Sequence, residues 1–192
     1  WSPDSRWVVY AKDNENHLGS LWVYSVPGNL ASRLTGDRYD ASNPVFSADG
    51  LHLFFVSRRD YNWQNRGFDA KLYTATLSAG TPPLFAPLSD EEVPEKAAKE
   101  EKKEEKKKEE KKEGQEAKPV EVTREMDGFE NRVTDYPVPA GGYRGLTPVA
   151  DGLLYLRGNQ LFLYDLKERK ESSVMEGIGF YVLSAQGKKF LW

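Results

Sequence analysis

The sequence predicts an all-β chain built of β-propeller blades, and three observations carry that prediction. First, one short pattern recurs: Trp1-Ser2-Pro3-Asp4-Ser5-Arg6-Trp7-Val8-Val9-Tyr10 returns as Phe46-Ser47-Ala48-Asp49-Gly50-Leu51-His52-Leu53-Phe54-Phe55 and as Leu183-Ser184-Ala185-Gln186-Gly187-Lys188-Lys189-Phe190-Leu191-Trp192. A worn copy lies between, Val149-Ala150-Asp151-Gly152-Leu153-Leu154-Tyr155-Leu156. The first two copies start 45 residues apart, and a period of about 40–45 residues with several strands per unit marks propeller blades. Second, Ser-x-Asp-Gly is turn chemistry, because Asp can bond the backbone and Gly supplies positive φ. An apolar, β-rich run such as Trp7–Tyr10 or Leu53–Val56 follows at once. Third, the first, second and worn copies are each followed by another β-rich run after a short polar stretch: Ser20–Ser25, Lys71–Leu77 and Gln160–Leu166. A β-sandwich with chance similarity between its turns is the alternative; it has no reason to repeat a turn sequence at fixed spacing.

Taken in order, the first blade spans residues 1–45. Its third strand is expected at Ser32-Arg33-Leu34-Thr35, and its fourth around Asn43-Pro44-Val45-Phe46, leading into the next repeat. The second blade spans 46–138 and carries a charged insertion over 90–118. The third spans 139–182, and residues 183–192 are the first strand of a further blade. Three four-stranded blades and one strand leave the ring incomplete, since propellers close with about four to eight blades. The chain reads as a piece of a longer protein, opening inside the repeat at Trp1 and stopping at a strand end at Trp192.

Between Asp90 and Lys118 stand 12 acidic residues and 10 lysines, with Val93 the one core-type side chain. Such a segment cannot build a core. Lys99–Glu113 is helical by propensity, yet like charges recur at i, i+4, as in Glu100–Glu104. A solvated helix or a disordered loop is expected, tolerated as a surface insertion.

The 192 residues carry 27 basic and 30 acidic side chains, a formal charge of -3. No basic field calls for nucleic acid or an anionic membrane. Cysteine is absent, which excludes thiol catalysis, thiolate metal sites and disulfides in this segment. No apolar run reaches the roughly 18 residues of a membrane-spanning helix.

The chemistry-bearing motifs are sparse. Of the two histidines, His17 sits in a polar loop and His52 alternates with Leu51 and Leu53, so a half-exposed surface position is expected for it. There is no nucleophile elbow, no His-Glu-x-x-His zinc motif and no phosphate loop. Asp13-Asn14-Glu15-Asn16 lacks EF-hand spacing. No catalytic, cofactor or metal residue is assigned, and no cofactor is expected. Two polar clusters remain as substrate-channel candidates. Arg58, Arg59 and Asp60 follow a strand at an end where propellers place binding loops, and Arg144 opens the third blade. Either cluster could take a peptide carboxylate through an arginine fork; alternatively they tie neighbouring loops together. The strand aromatics, Trp7, Trp22, Phe54, Phe55, Tyr73 and Phe162 among them, read as inter-blade packing.

Several segments resemble the second propeller of tricorn-type proteases. They are Trp1–Trp7, Asn43–Gly50, Leu53–Asn62, Tyr136–Tyr143, Leu163–Glu171 and Leu183–Lys189. The Ser-x-Asp-Gly repeat is shared with TolB-type and dipeptidyl-peptidase-type propellers; the Asp60-Tyr61-Asn62 loop and Pro137-Val138-Pro139-Ala140-Gly141 favour tricorn. Gln186 departs from the usual Asp, and the insertion is unusually long. The resemblance implies a cytoplasmic, homo-oligomeric serine peptidase that trims oligopeptides. In it, two propellers precede a helical segment, a PDZ-like domain and a catalytic domain that holds the nucleophile and histidine. Peptide substrates and those other domains are then the partners. This chain would filter peptides on the way to or from the active site without catalysing. A non-enzymatic, TolB-like propeller that docks proteins in the periplasm is the alternative.

Overall fold

The computed structural model describes residues 1–64, 66–85, 127–184 and 189–192. The charged insertion over 90–118 lies outside them. Three meandering sheets follow one another. The first holds β1 (Trp7–Asp13), β2 (Gly19–Ser25) and β3 (Leu30–Arg33). The second holds β4 (Asp40–Phe46), β5 (His52–Asn62), β6 (Gly67–Thr76) and β7 (Val133–Asp135), with one 3-10 turn, Phe129–Arg132, leading into β7. The third holds β8 (Tyr143–Val149), β9 (Gly152–Arg157), β10 (Gln160–Asp165) and β11 (Lys170–Glu176). A last pair joins β12 (Val182–Leu183) to β13 (Phe190–Leu191). Every pairing is antiparallel between neighbours in sequence. These are propeller blades in an open arrangement.

The repeated turn explains where each sheet begins. Ser47 donates its hydroxyl to Asp49 and accepts the His52 N–H at 2.9 Å; Asp49 accepts the Leu51 N–H at 2.9 Å. Ser2 and Asp4 do the same with the N–H groups of Trp7 and Arg6, at 3.0 and 3.1 Å. Ser184 accepts the Lys189 N–H at 3.2 Å. The turn therefore reverses the chain, and the strand before it pairs with the strand after it. Residues 43–46, expected to close the first blade, accordingly lie in β4, where Val45 and Phe46 pair with β5. The first sheet has three strands among the described residues rather than four, its third at Leu30–Arg33 instead of 32–35, and a two-stranded pair stands where one final strand was expected. Removing the Ser47 hydroxyl leaves the buried His52 N–H without its acceptor, so Ser47→Ala is expected to cost about 1–2 kcal/mol, read as a lowered urea midpoint. Ala48→Ser in the same turn should change little, since the Ala48 side chain takes no part in the hydrogen bonds.

The core lies between the sheets. Leu21, Val23 and Leu34 of the first pack with Ala41, Phe46, Leu53, Phe55 and Ala75 of the second. Phe54 and Tyr136 face the third sheet through Tyr164. Leu154, Leu156 and Leu161 pack with Ile178 and Leu183 beyond.

Candidate functional site

β-Bulges shape the polar ends of the strands. On β4, Ser42 faces Val56 and Val45 faces Phe54, so β4 carries one residue more than its partner. On β8, Arg144 faces Leu156 and Thr147 faces Leu154, the same excess. The extra residues hold left-handed backbone, Asn43 at φ 52° and Gly145 at φ 60°, conformations that Asn and Gly tolerate best. Pro44, which has no N–H to give, sits in the first bulge where the ladder is interrupted. The two bulged strands touch: the Asn43 amide donates to the Tyr143 carbonyl at 3.4 Å. Tyr181 in turn donates to the Gly145 carbonyl at 2.6 Å.

A third bulge falls on the first candidate cluster. Ser57 faces Lys71 and Asp60 faces Asp69, so Arg58 and Arg59 span the irregularity, and bulges of this kind re-aim side chains. Arg58 remains largely exposed, 3.9 Å from Asp40. Arg59 turns inward, its side chain 15% exposed and 3.8 Å from Glu130. Its guanidinium lies 5.4 Å from the Tyr39 ring and 5.7 Å from both Phe55 and Tyr73. Asp60 accepts a hydrogen bond from Lys71, which also stands 3.7 Å from Asp135. The Asp60 bond raises the Lys71 ammonium above its ordinary value, and burial pushes the Tyr73 phenol up.

Arg144 stands apart from this group, on β8. It donates to the Gly158 carbonyl at 2.8 Å and to Asn159 at 3.4 Å, and with Gly142 and Tyr143 these residues line a cavity of about 420 Å³. The structure thus brings Arg58, Arg59 and Asp60 together and ties each to a neighbouring element, while Arg144 frames a separate opening. Sequence reading missed Glu130, which accepts the Gly36 N–H at 3.0 Å from 94 positions away; no local pattern marks so distant a partner.

The histidines are placed differently from one another. His17 holds a left-handed turn at φ 61° between β1 and β2. His52 is buried, 6% exposed, not half exposed as its alternation with leucines implied, because the neighbouring sheet covers that face of β5. Its Nδ1 lies 3.9 Å from Asp49, too far for a hydrogen bond, and its Nε2 has no partner. The imidazole, acting across that 3.9 Å gap as a nearby electrostatic partner, and then the Ser47 hydroxyl and the Leu51 N–H hold the Asp49 carboxyl down at about 2 from an ordinary 3.8, against the opposing effect of burial. A depressed carboxyl stabilises the fold above pH 3.8, and that contribution is lost as pH falls toward 2. Ser47, Asp49 and His52 thus form a turn: the serine hydroxyl is given to the aspartate and not to the imidazole. Among the described residues no cluster of three or more His, Cys, Asp or Glu could hold a metal ion, and no helix is long and apolar enough to cross a membrane.

No protein-family model matches the chain. Tricorn protease homolog 2 of Streptomyces coelicolor is 31% identical over 166 residues, covering 82% of this chain, and tricorn protease homolog 1 of the same organism is 28% identical over all of it. The chain is a tricorn-type protease segment. The tricorn-type segment spans only 14% and 19% of those two relatives. A crystal structure of the tricorn protease superposes with a TM-score of 0.63 over 97% of the chain and 19% of its own length, at 21% identity. At that identity the superposition speaks for the propeller fold of the tricorn-type segment, and the sequence matches speak for its family.

Proposed function

We propose that this segment is the channel-forming, substrate-gating propeller of a cytoplasmic, homo-oligomeric, tricorn-like serine peptidase that trims oligopeptides, and that it does not itself catalyse. The family match supports the peptidase part of this reading, and the observation that carries its non-catalytic part is the Ser47–Asp49–His52 arrangement. It is the nearest approach to a catalytic triad among the described residues, yet the same serine–aspartate bonds recur at Ser2 and Asp4, where no histidine follows. Nucleophilic hydrolysis needs a base within about 2.6–3.2 Å of the nucleophile and an oxyanion site, and the repeat favours a structural use of these residues. Arg144, beside its open cavity, and the exposed Arg58 are the side chains suited to hold a passing peptide carboxylate.

The full-length protein is expected to cut fluorogenic di- to tetrapeptides and to lose that activity with a serine-directed inhibitor. The 192-residue chain should cut none. In the full-length protein, Arg144→Ala should raise KM for peptides with a free carboxylate more than for their amides. Hydrolysis by the chain alone that disappears in His52→Ala would overturn the reading by placing the catalytic base inside the propeller.

A further inference from the structure

The β5–β6 hairpin outgrows its sheet. Pairing with β4 ends at Arg58 and pairing with β7 ends at Tyr73, while β5 and β6 pair with each other out to Asn62 and Gly67. At the tip stand three aromatic side chains: Trp63 is 83% exposed, Phe68 51% and Tyr61 42%. Their rings hold one another, Tyr61 lying 4.8 Å from Trp63 and 5.3 Å from Phe68, both edge-on. Asn62 braces the strand ends as well, donating to Asp69 at 2.5 Å and accepting the Gln64 N–H at 2.9 Å. The three rings thus form one mutually supported aromatic cluster, with the exposed Gln64 and Arg66 beside it.

The tip does not lie at an end of the segment, where a further blade would pack. Most of the other strongly exposed apolar side chains, such as Leu30, Phe180, Val182 and Leu191, belong to the first sheet or to the last elements of the chain, where further blades would pack. The hairpin belongs to the middle sheet, which already has the first sheet on one side and the third on the other. Large exposed aromatics of this kind mark interaction sites, and tryptophan and tyrosine are the common anchors of interfaces.

The geometry points to the Tyr61–Trp63–Phe68 tip as a docking anchor that seats in an apolar pocket on another domain of the same polypeptide. This rests on reading the chain as a segment of a longer tricorn-type protein. Two observations select that occupant over a second copy. An aromatic side chain buries roughly 150–250 Å², and Tyr61 and Phe68 are already half covered. Two facing tips therefore fall well short of the roughly 1,200 Å² that a stable interface between separate proteins requires. The matched relatives, by contrast, carry more than four-fifths of their length outside this segment. A tethered domain has an effective concentration in the millimolar range, which keeps even a patch with an affinity of about 0.1 mM docked roughly ten to one.

Hydroxyl-radical footprinting of the native full-length protein tests this. Trp63 should be oxidised about tenfold more slowly than in the same protein unfolded in urea, and its protection should not change on dilution. In Trp63→Ala/Phe68→Ala, a segment outside these 192 residues should become more reactive. Oxidation of Trp63 at the unfolded rate would overturn the proposal. Protection that vanishes on dilution would overturn it too, by assigning the tip to a second copy. Peptidase activity is a separate readout: a protein that protects Trp63 yet cuts no peptide keeps the anchor and loses the function proposed above.

Discussion

Phe54→Ala is expected to cost about 4 kcal/mol, the loss typical of emptying a buried phenylalanine site. Phe54 is 1% exposed near the start of β5. Its ring meets Tyr136 edge-on at 5.7 Å, and Tyr136 meets Tyr164 of the third sheet at 4.8 Å. The cavity would open between two sheets, where neither can collapse without parting from the other. A domain is stabilised by only about 5–15 kcal/mol, so the urea midpoint should fall by a large fraction. Phe54→Leu, which keeps most of the volume, should lose about 1–2 kcal/mol. A loss below about 1 kcal/mol for the alanine variant would show that the seam closes over the gap.

Glu171→Ala should be nearly as damaging. Arg157 donates to Glu171 through both terminal nitrogens, at 2.6 and 2.9 Å, and both side chains are 22% exposed. The guanidinium also lies 4.2 Å from the Phe162 ring centroid, and Tyr155 donates its hydroxyl to Glu171. Removing the carboxylate leaves a half-sequestered cation and an unpaired phenol, for about 3 kcal/mol. The double variant Arg157→Met/Glu171→Leu should recover much of that loss, since it removes both charges together. Failure of the double variant to recover would mean that hydrogen-bond geometry, not charge burial, sets the cost. The phenol adds a pH dependence. Burial, then Glu171, raises Tyr155 above its ordinary 10.0, as burial raises Tyr136 and Tyr164. A raised group stabilises the fold below its unfolded value, so urea midpoints should fall as pH rises above 10.0.

The blade repeat was legible because its turn is local: serine and aspartate bond backbone groups at most five residues away. The family was legible for the same reason, through short ordered segments. The start of each sheet was not, because strand pairing is a partner relation and the turn motif was taken as a boundary when it is the bend inside a hairpin. Burial of His52 was hidden, since alternation along β5 separates two faces without revealing that a sheet covers each. Arg58, Arg59 and Asp60 could be found by charge and position. Their partners Glu130 and Lys71 depend on a bulge and on a chain return after residue 126, which no window of sequence contains.

The extra residue in β4 also changes what the two halves of that strand can tolerate. Ala41 and Phe46 are five positions apart, an odd spacing that would put them on opposite faces of a regular strand, yet both lie in one core cluster. The strand is out of phase with itself on either side of Asn43. Straightening the strand at its present length would turn Ala41 outward and Ser42 inward, inverting half a strand without altering a single side chain, whereas deleting the extra residue would let a regular strand keep both Ala41 and Phe46 inward. At its present length β4 buries both residues only by keeping the bulge, and the same requirement holds at Gly145, where β8 repeats the phase shift. Length, at these two points, is part of the code.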